Sequence, residues 1–235
     1  MWGGKAVLAV VPARSGSKGV TDKNMRQLGD ESLIGRAGTV LAELDYLDGR
    51  VISTDSTVYA EEGERYGLAA PFIRPSELSG DDAGIVETMQ HALRQSERHF
   101  SVRFDVILVI EPTSPFRIPE DVTETTRLLI ESGADSAATV SRVPTKFHPD
   151  KILVERDGRL HFYTEAGRSI VGRQMLSDGP LCKNGLCYAV TRECLMDRGA
   201  VFTDDTAAVV VDRQVVNIDD ELDLAWAELL LNADR

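Results

Sequence analysis

VILVIE (Val106–Glu111) is an apolar run that breaks only at its last residue, a carboxylate. A strand with one face in water alternates apolar and polar side chains. A run without alternation belongs to a central strand covered on both faces, as in parallel sheets. Working outward, Lys5–Val11 (KAVLAVV), Arg50–Thr54 and Ser136–Ser141 read as further strands. Segments of helical period separate them. Leu33–Leu44 places Ile34, Ala37, Val40 and Leu41 on one face. A second helix runs through Tyr66, a third from Gly84 to about Glu97, and a fourth from Pro119 to Ile130. In the fourth, Pro119 suits the first turn, and Glu120 and Asp121 favour the positive end. This alternation predicts an α/β fold with a doubly wound, mainly parallel sheet. Functional sites in such sheets lie beyond the carboxyl ends of the strands.

The rhythm changes after about Val143. KILVERDGRLHFYTE (Lys151–Glu165) reads as two short strands around Asp157-Gly158, a hairpin turn pair. The expected organisation is a nucleotide-binding α/β domain from 1–144 and 181–235, with an inserted hairpin-containing arm at 145–180. A loop then leads into a strand through KNGLCYAV. The chain closes with AAVVV, a turn, and a helix from Asp219 to Leu231, with Asp219 as its cap.

Composition narrows the function classes. The chain has 235 residues, 43% of them hydrophobic, and a formal net charge of -12. That charge argues against a nucleic-acid backbone or an anionic membrane as the main partner. Any bound anion must be held by a local pocket. No apolar run approaches the roughly 20 residues of a membrane span. The opening MWGGKAVLAVV is too short, and too soon followed by Pro12 and Arg14, for a signal peptide. Cys182, Cys187 and Cys194 lack metal-site spacing and read as reduced thiols of a cytoplasmic protein.

Against that acidic background, VVPARSGSKGVTDKN (Val10–Asn24) gathers Arg14, Lys18 and Lys23 on a Ser/Gly loop after the first strand. Such a loop offers backbone N–H groups and cationic side chains to phosphate oxygens. It is neither a Walker loop nor a dinucleotide glycine pattern.

PARSGSKG-x-x-x-KN resembles the nucleotide-binding signature of the CMP-acylneuraminate synthetases (acylneuraminate cytidylyltransferases). The similarity recurs in order: VISTDS (51–56), IRPSELSGDDA (73–83), EPTSPFR (111–117), GRQ (172–174), KNGLCY (183–188) and VNIDDELDLAWAE (216–228). The resemblance covers essentially the whole chain. It implies a nucleotide-diphospho-sugar transferase-like fold and transfer of CMP from CTP to a nine-carbon α-keto acid sugar. It further implies that Arg14, Ser15, Ser17, Lys18, Lys23 and Asn24 hold the triphosphate, and that Arg74 and Asp81 face cytosine and ribose. Glu111, Lys151, Gln174, Tyr188 and Phe202 would line the sugar pocket, and Arg173 would approach the reacting groups. Arg14, Lys18, Lys23 and Arg173 are thus the expected catalytic cations. Asn217 and Asp219 would hold Mg²⁺, and the arm would pack against a second subunit in a homodimer. Transfer at an α-phosphate fits this cationic set, because positioning and electrostatic stabilisation carry such reactions.

Two positions depart from the pattern. Asn217 stands where the family has an aspartate, which predicts weaker Mg²⁺ binding; Asp220 or Glu221 is a candidate for compensation. Glu111 replaces a glutamine common in sialic-acid enzymes, which points to a different nonulosonate. An octulosonate transferase and a catalytically weak nucleotide-binding homologue are the alternative readings.

Overall fold

The computed structural model describes residues 1–16, 19–80, 83–170, 172–176 and 179–233. In chain order its elements are β1 (Val7–Pro12), β2 (Gln27–Leu28), β3 (Glu31–Ser32), α1 (Leu33–Ala42), β4 (Gly49–Ser53), α2 (Thr57–Arg65), α3 (Ile85–Phe100) and β5 (Val106–Val109). They continue as α4 (Pro119–Ser132), β6 (Ser136–Arg142), β7 (Leu153–Arg156), β8 (Arg159–Phe162), β9 (Leu181–Thr191), β10 (Thr206–Val210) and α5 (Glu221–Ala233).

Strand β1 shows why the apolar runs do not alternate. Val7, Ala9 and Val11 pack with Ile34, Ala37 and Leu41 of α1 and with Val122 and Leu129 of α4. Leu8 and Val10 point the other way, among Met89, Ala92 and Leu93 of α3. Both faces of the strand are therefore core, and a polar residue on either would be desolvated. Each fully buried leucine or isoleucine side chain contributes about 1.5–3 kcal/mol of transfer free energy.

The six-stranded sheet has the order β10-β6-β9-β5-β1-β4. Strand β1 pairs in parallel with β4, Val10 opposite Val51, and with β5, Val7 opposite Val106. Strand β9 instead runs antiparallel to β5, Val109 opposite Tyr188. A strand covered on both faces carries the same apolar run in either direction, so its sense is not written in the pattern.

Chain punctuation follows local chemistry. Ser32 Oγ accepts from Gly35 N–H at 2.9 Å and caps α1. Pro119 opens α4, and Asp121 reaches back to accept from Ile118 N–H at 2.9 Å. The last helix begins two residues later than expected, and its cap is Asp220, not Asp219. Asp220 Oδ1 accepts from the N–H groups of Leu222 and Asp223, both at 2.9 Å. Asp223 returns the bond, accepting from Asp220 N–H at 3.2 Å.

The chain divides into two compact units. The first holds residues 1–139, 184–209 and 214–235; the second holds 140–183 and 210–213. In the second, β7 and β8 form an antiparallel hairpin, Arg156 opposite Arg159. Asp157 (φ 52°) and Gly158 (φ 73°) make its turn, both left-handed as a two-residue type I′ loop requires. No helix among the described residues is long and apolar enough to cross a membrane.

Candidate active site

A cavity of about 490 Å³ opens in the first unit where β1 and β5 end. Its wall includes Arg14, Lys23, Asn24, Arg74, Glu111 and Asp219. The loop after β1 is held in place by its own polar groups. Ala13 N–H donates to Ser53 O at 3.0 Å, and the Asn24 amide donates to Arg14 O at 3.1 Å. Asn24 is buried, so its part is to fix the carbonyl that precedes the loop. Ser15 donates both its N–H (2.7 Å) and its hydroxyl (2.8 Å) to the Asp55 carboxylate. At the far end, Asp22 accepts from the Tyr59 hydroxyl at 3.1 Å.

Gly19 shows how closely this loop approaches α5's leading residues. A Cβ at position 19 would collide with the backbone carbonyl of Asp219, so only glycine fits. Lys23 Nζ lies 3.1 Å from Asp219 Oδ1. Arg26 forms a two-pronged pair with Glu221, at 2.7 and 3.2 Å. Glu221 is thus engaged by Arg26 and Asp223 by the helix cap, both at the surface. Asp220 caps the helix through Oδ1.

Arg74 is a buried cation on the cavity wall. It is 5% exposed, and its Nε and Nη2 have no hydrogen-bond partner among the described residues. Its backbone is fixed by Arg74 N–H donating to Thr54 O at 2.7 Å. Burial lowers its pKa; the Asp55 charge opposes that, and the Arg14 charge adds to it. A buried guanidinium with unsatisfied donors beside a second cation is costly unless an anion binds. Asp55 is partly buried, which favours its neutral form, yet the two Ser15 hydrogen bonds and the Arg74 charge hold its pKa below the ordinary value.

The other end of the cavity is built on Arg117. It is buried and donates to three backbone carbonyls: Leu186, Glu111 (2.7 Å) and Gly185 (3.1 Å). Burial pushes its pKa down to about 10. These bonds lock the turn after β5 against β9. Gly185 (φ 73°) sits where a Cβ would run into Ser114 Oγ and a Glu111 carboxylate oxygen. Its N–H donates to the Tyr188 hydroxyl at 2.9 Å, and the Tyr188 ring meets Phe202 edge-on at 5.0 Å between centroids. Burial and then the Glu111 charge raise the Tyr188 phenol.

The structure therefore brings Arg14, Lys23, Asn24, Arg74 and Asp219 to one cavity, with Glu111 on its wall and Tyr188 and Phe202 packed behind. Ser15 turns to Asp55. Asn217 is exposed, and no group of three acidic, histidine or cysteine side chains converges among the described residues. Lys151 and Gln174 belong to the second unit, where both are exposed. Ser17, Lys18, Asp81 and the side chain of Arg173 lie outside the described residues. His148 is buried within the second unit, its Nδ1 accepting from Asp150 N–H at 3.2 Å. Sequence reasoning gave no role to Asp55 or Arg117, although both lie in segments that it singled out. Position supplied the available signal for Asp55: a carboxylate in the turn at the carboxyl end of a parallel strand.

Known proteins resemble this chain in sequence and in fold. The chain is 29% identical over 229 residues to "Post-translational flagellin modification protein B" of Campylobacter coli, covering 96% of this chain and 94% of that one. It is 27% identical over 233 residues to "CMP-N,N'-diacetyllegionaminic acid synthase" of Legionella pneumophila, covering 97% of each. A solved structure of CMP:2-keto-3-deoxy-manno-octonic acid synthetase complexed with CTP superposes with a TM-score of 0.72 at 14% identity, covering 98% of this chain and 100% of that one. That likeness shows a shared fold. A family model described as "Cytidylyltransferase" matches residues 8–157, from the start of β1 to the turn of the hairpin. The chain belongs to the cytidylyltransferase family.

Proposed function

We propose that this protein transfers CMP from CTP to an acidic nine-carbon α-keto sugar, a nonulosonate, and releases pyrophosphate. The observation that carries the reading is Arg74, buried with two donors that have no partner among the described residues, in a cavity shared with Arg14 and Lys23. On an acidic chain this is a local site for a polyanion. The named activity of the Legionella relative supplies the acceptor class.

In this reading the sugar's anomeric hydroxyl oxygen bonds to the α-phosphorus. The bond from that phosphorus to the bridging oxygen of pyrophosphate breaks, pyrophosphate leaves with that electron pair, and the hydroxyl proton passes to water. Arg14, Lys23 and Arg74 stabilise charge on the triphosphate, and the turn held by Arg117 presents Glu111 to the acceptor. No nucleophilic side chain is needed. Asp219 and Asn217 would hold a Mg²⁺ ion. One carboxylate and one amide oxygen fit an ion that keeps most of its shell for phosphate oxygens and water. When bound, the ion would supply further charge neutralisation at the phosphates. Since Asn217 brings no charge, Asn217→Asp should lower the Mg²⁺ concentration required for half-maximal rate. An unchanged titration would remove Asn217 from this role.

The deciding experiment is pyrophosphate release from CTP with Mg²⁺ across a panel of nonulosonic acids and an octulosonate, with UTP and ATP in parallel. Release that requires CTP and a nonulosonate supports the reading. An octulosonate preference, or CTP binding without turnover, removes it. Glu111→Gln should shift the ranking of acceptors by their N-acyl and amino substituents; an identical ranking would strip Glu111 of a selective role. We further propose that the second unit packs against a second copy of the chain, since Leu160, Phe162 and Tyr163 stand exposed on it. With a nucleoside triphosphate as substrate, the working place would be the cytoplasm.

A further inference from the structure

We propose that Asp55 is a positioning residue for the cationic loop: it clamps the loop through Ser15 and serves as Arg74's counter-charge without using that arginine's Nε or Nη2. This inference rests on the CTP-dependent reading above. The two bonds from Ser15 to Asp55 span 40 residues of chain and use both oxygens of the carboxylate. Such a two-point contact fixes orientation as well as distance, and bonds to a charged acceptor are the stronger kind.

Three further observations point the same way. Asp55 sits in the turn between β4 and α2, and Arg74 is anchored one residue before it, on Thr54 O at 2.7 Å. The carboxylate that holds Ser15 thus also lends its charge to the buried guanidinium. The same turn-and-helix segment holds the loop's other end, where the Tyr59 hydroxyl donates to Asp22 at 3.1 Å. Ser15 and Asp22 are thus each bonded to the segment from Asp55 to Tyr59, with Arg14 next to the first contact and Lys23 next to the second. Finally, the Ser15 N–H and hydroxyl are already engaged. The resemblance assigns Ser15 to the triphosphate; the geometry assigns it to transmitting the Asp55 constraint to Arg14.

The test compares wild type, Asp55→Asn, Ser15→Ala, Tyr59→Phe and the Asp55→Asn/Ser15→Ala double variant. Each is assayed for CTP KM, sugar KM, kcat, melting temperature and direct CTP binding by calorimetry. Asp55→Asn should weaken CTP about tenfold, the scale of one charge-assisted hydrogen bond. Sugar KM should stay within about twofold. Ser15→Ala should cost about threefold, and the double variant should be no worse than Asp55→Asn alone, because both changes break one contact. Tyr59→Phe, which removes the second pin, should weaken CTP by a few-fold independently. Unchanged CTP affinity in Asp55→Asn overturns the inference. Multiplying effects of the two substitutions, or equal losses for CTP and sugar with a lowered melting temperature, also overturn it. Calorimetry separates this from the proposed activity. A wild type that binds CTP but releases no pyrophosphate defeats the activity alone; one that does not bind CTP defeats both.

Discussion

The central sheet and the β7–β8 hairpin use the same kinds of side chain in opposite ways. Leu8, Ile107 and Leu108 are wholly buried, whereas Leu160 is 70% and Tyr163 63% exposed. Strands β1 and β5 are covered on both faces by residues of their own unit. Every residue of β8 is exposed, because the described residues of its unit supply no layer to cover it. Apolar content thus marks a surface that is to be covered; it does not say by what. In the sheet the cover is intramolecular, and for the hairpin we propose a second copy.

The sharpest way to break that comparison is to truncate one leucine in each place. Leu108→Ala removes a fully buried side chain from β5 and should cost about 2–5 kcal/mol in a denaturant titration. Leu160→Ala should fall within about 0.5 kcal/mol when measured on the single chain. Similar losses at both sites would mean that the hairpin carries a core of its own.

Arg74→Ala separates chemistry from stability in the sheet-bearing unit. It should lower kcat/KM about a hundredfold, ~2.7 kcal/mol, while the melting temperature holds or rises, because a buried guanidinium with two donors unsatisfied among the described residues is removed. A lowered melting temperature with intact kcat/KM would make Arg74 a structural residue.

The cysteines give a chemical version of the same contrast. Burial pushes the Cys187 thiol up to about 12 and also raises Cys194, whereas Cys182, in the second unit, is exposed. Thiolate is the reactive form, so a thiol reagent should label one cysteine in the native protein and three in denaturant. Cys182→Ser should abolish the native label. Two fast thiols would show that the sheet opens readily around β9.

The smallest effect on stability should come with a clear effect on mass. Leu160→Asp combined with Phe162→Asp should leave the melting of the single chain nearly unchanged while light scattering falls from two chains to one. A persistent dimer would place the contact elsewhere.

Much of this was legible beforehand, for stated reasons. Unbroken apolar runs marked β1 and β5 because both faces are core, and Asp157-Gly158 marked the hairpin because both residues adopt positive φ. The Ser/Gly loop after β1 marked the cationic end of the cavity. The direction of β9 was not legible, since burial on both faces erases alternation whichever way a strand runs. Nor was the cap of α5: Asp219 and Asp220 are adjacent identical residues, and only the backbone decides which one turns back. Arg117 stayed hidden because its partners are three backbone carbonyls, which no side-chain pattern records.

The contact between Lys23 and Asp219 joins residues 196 positions apart. A cavity that needs both cannot exist while the chain is being made, whatever the early strands have already formed. Loop closure over such a distance slows folding, since its entropy is lost before the contact repays it. Triphosphate binding should therefore appear as one of the last events of refolding, and a nascent chain that has not reached residue 219 carries its cations without a place to use them.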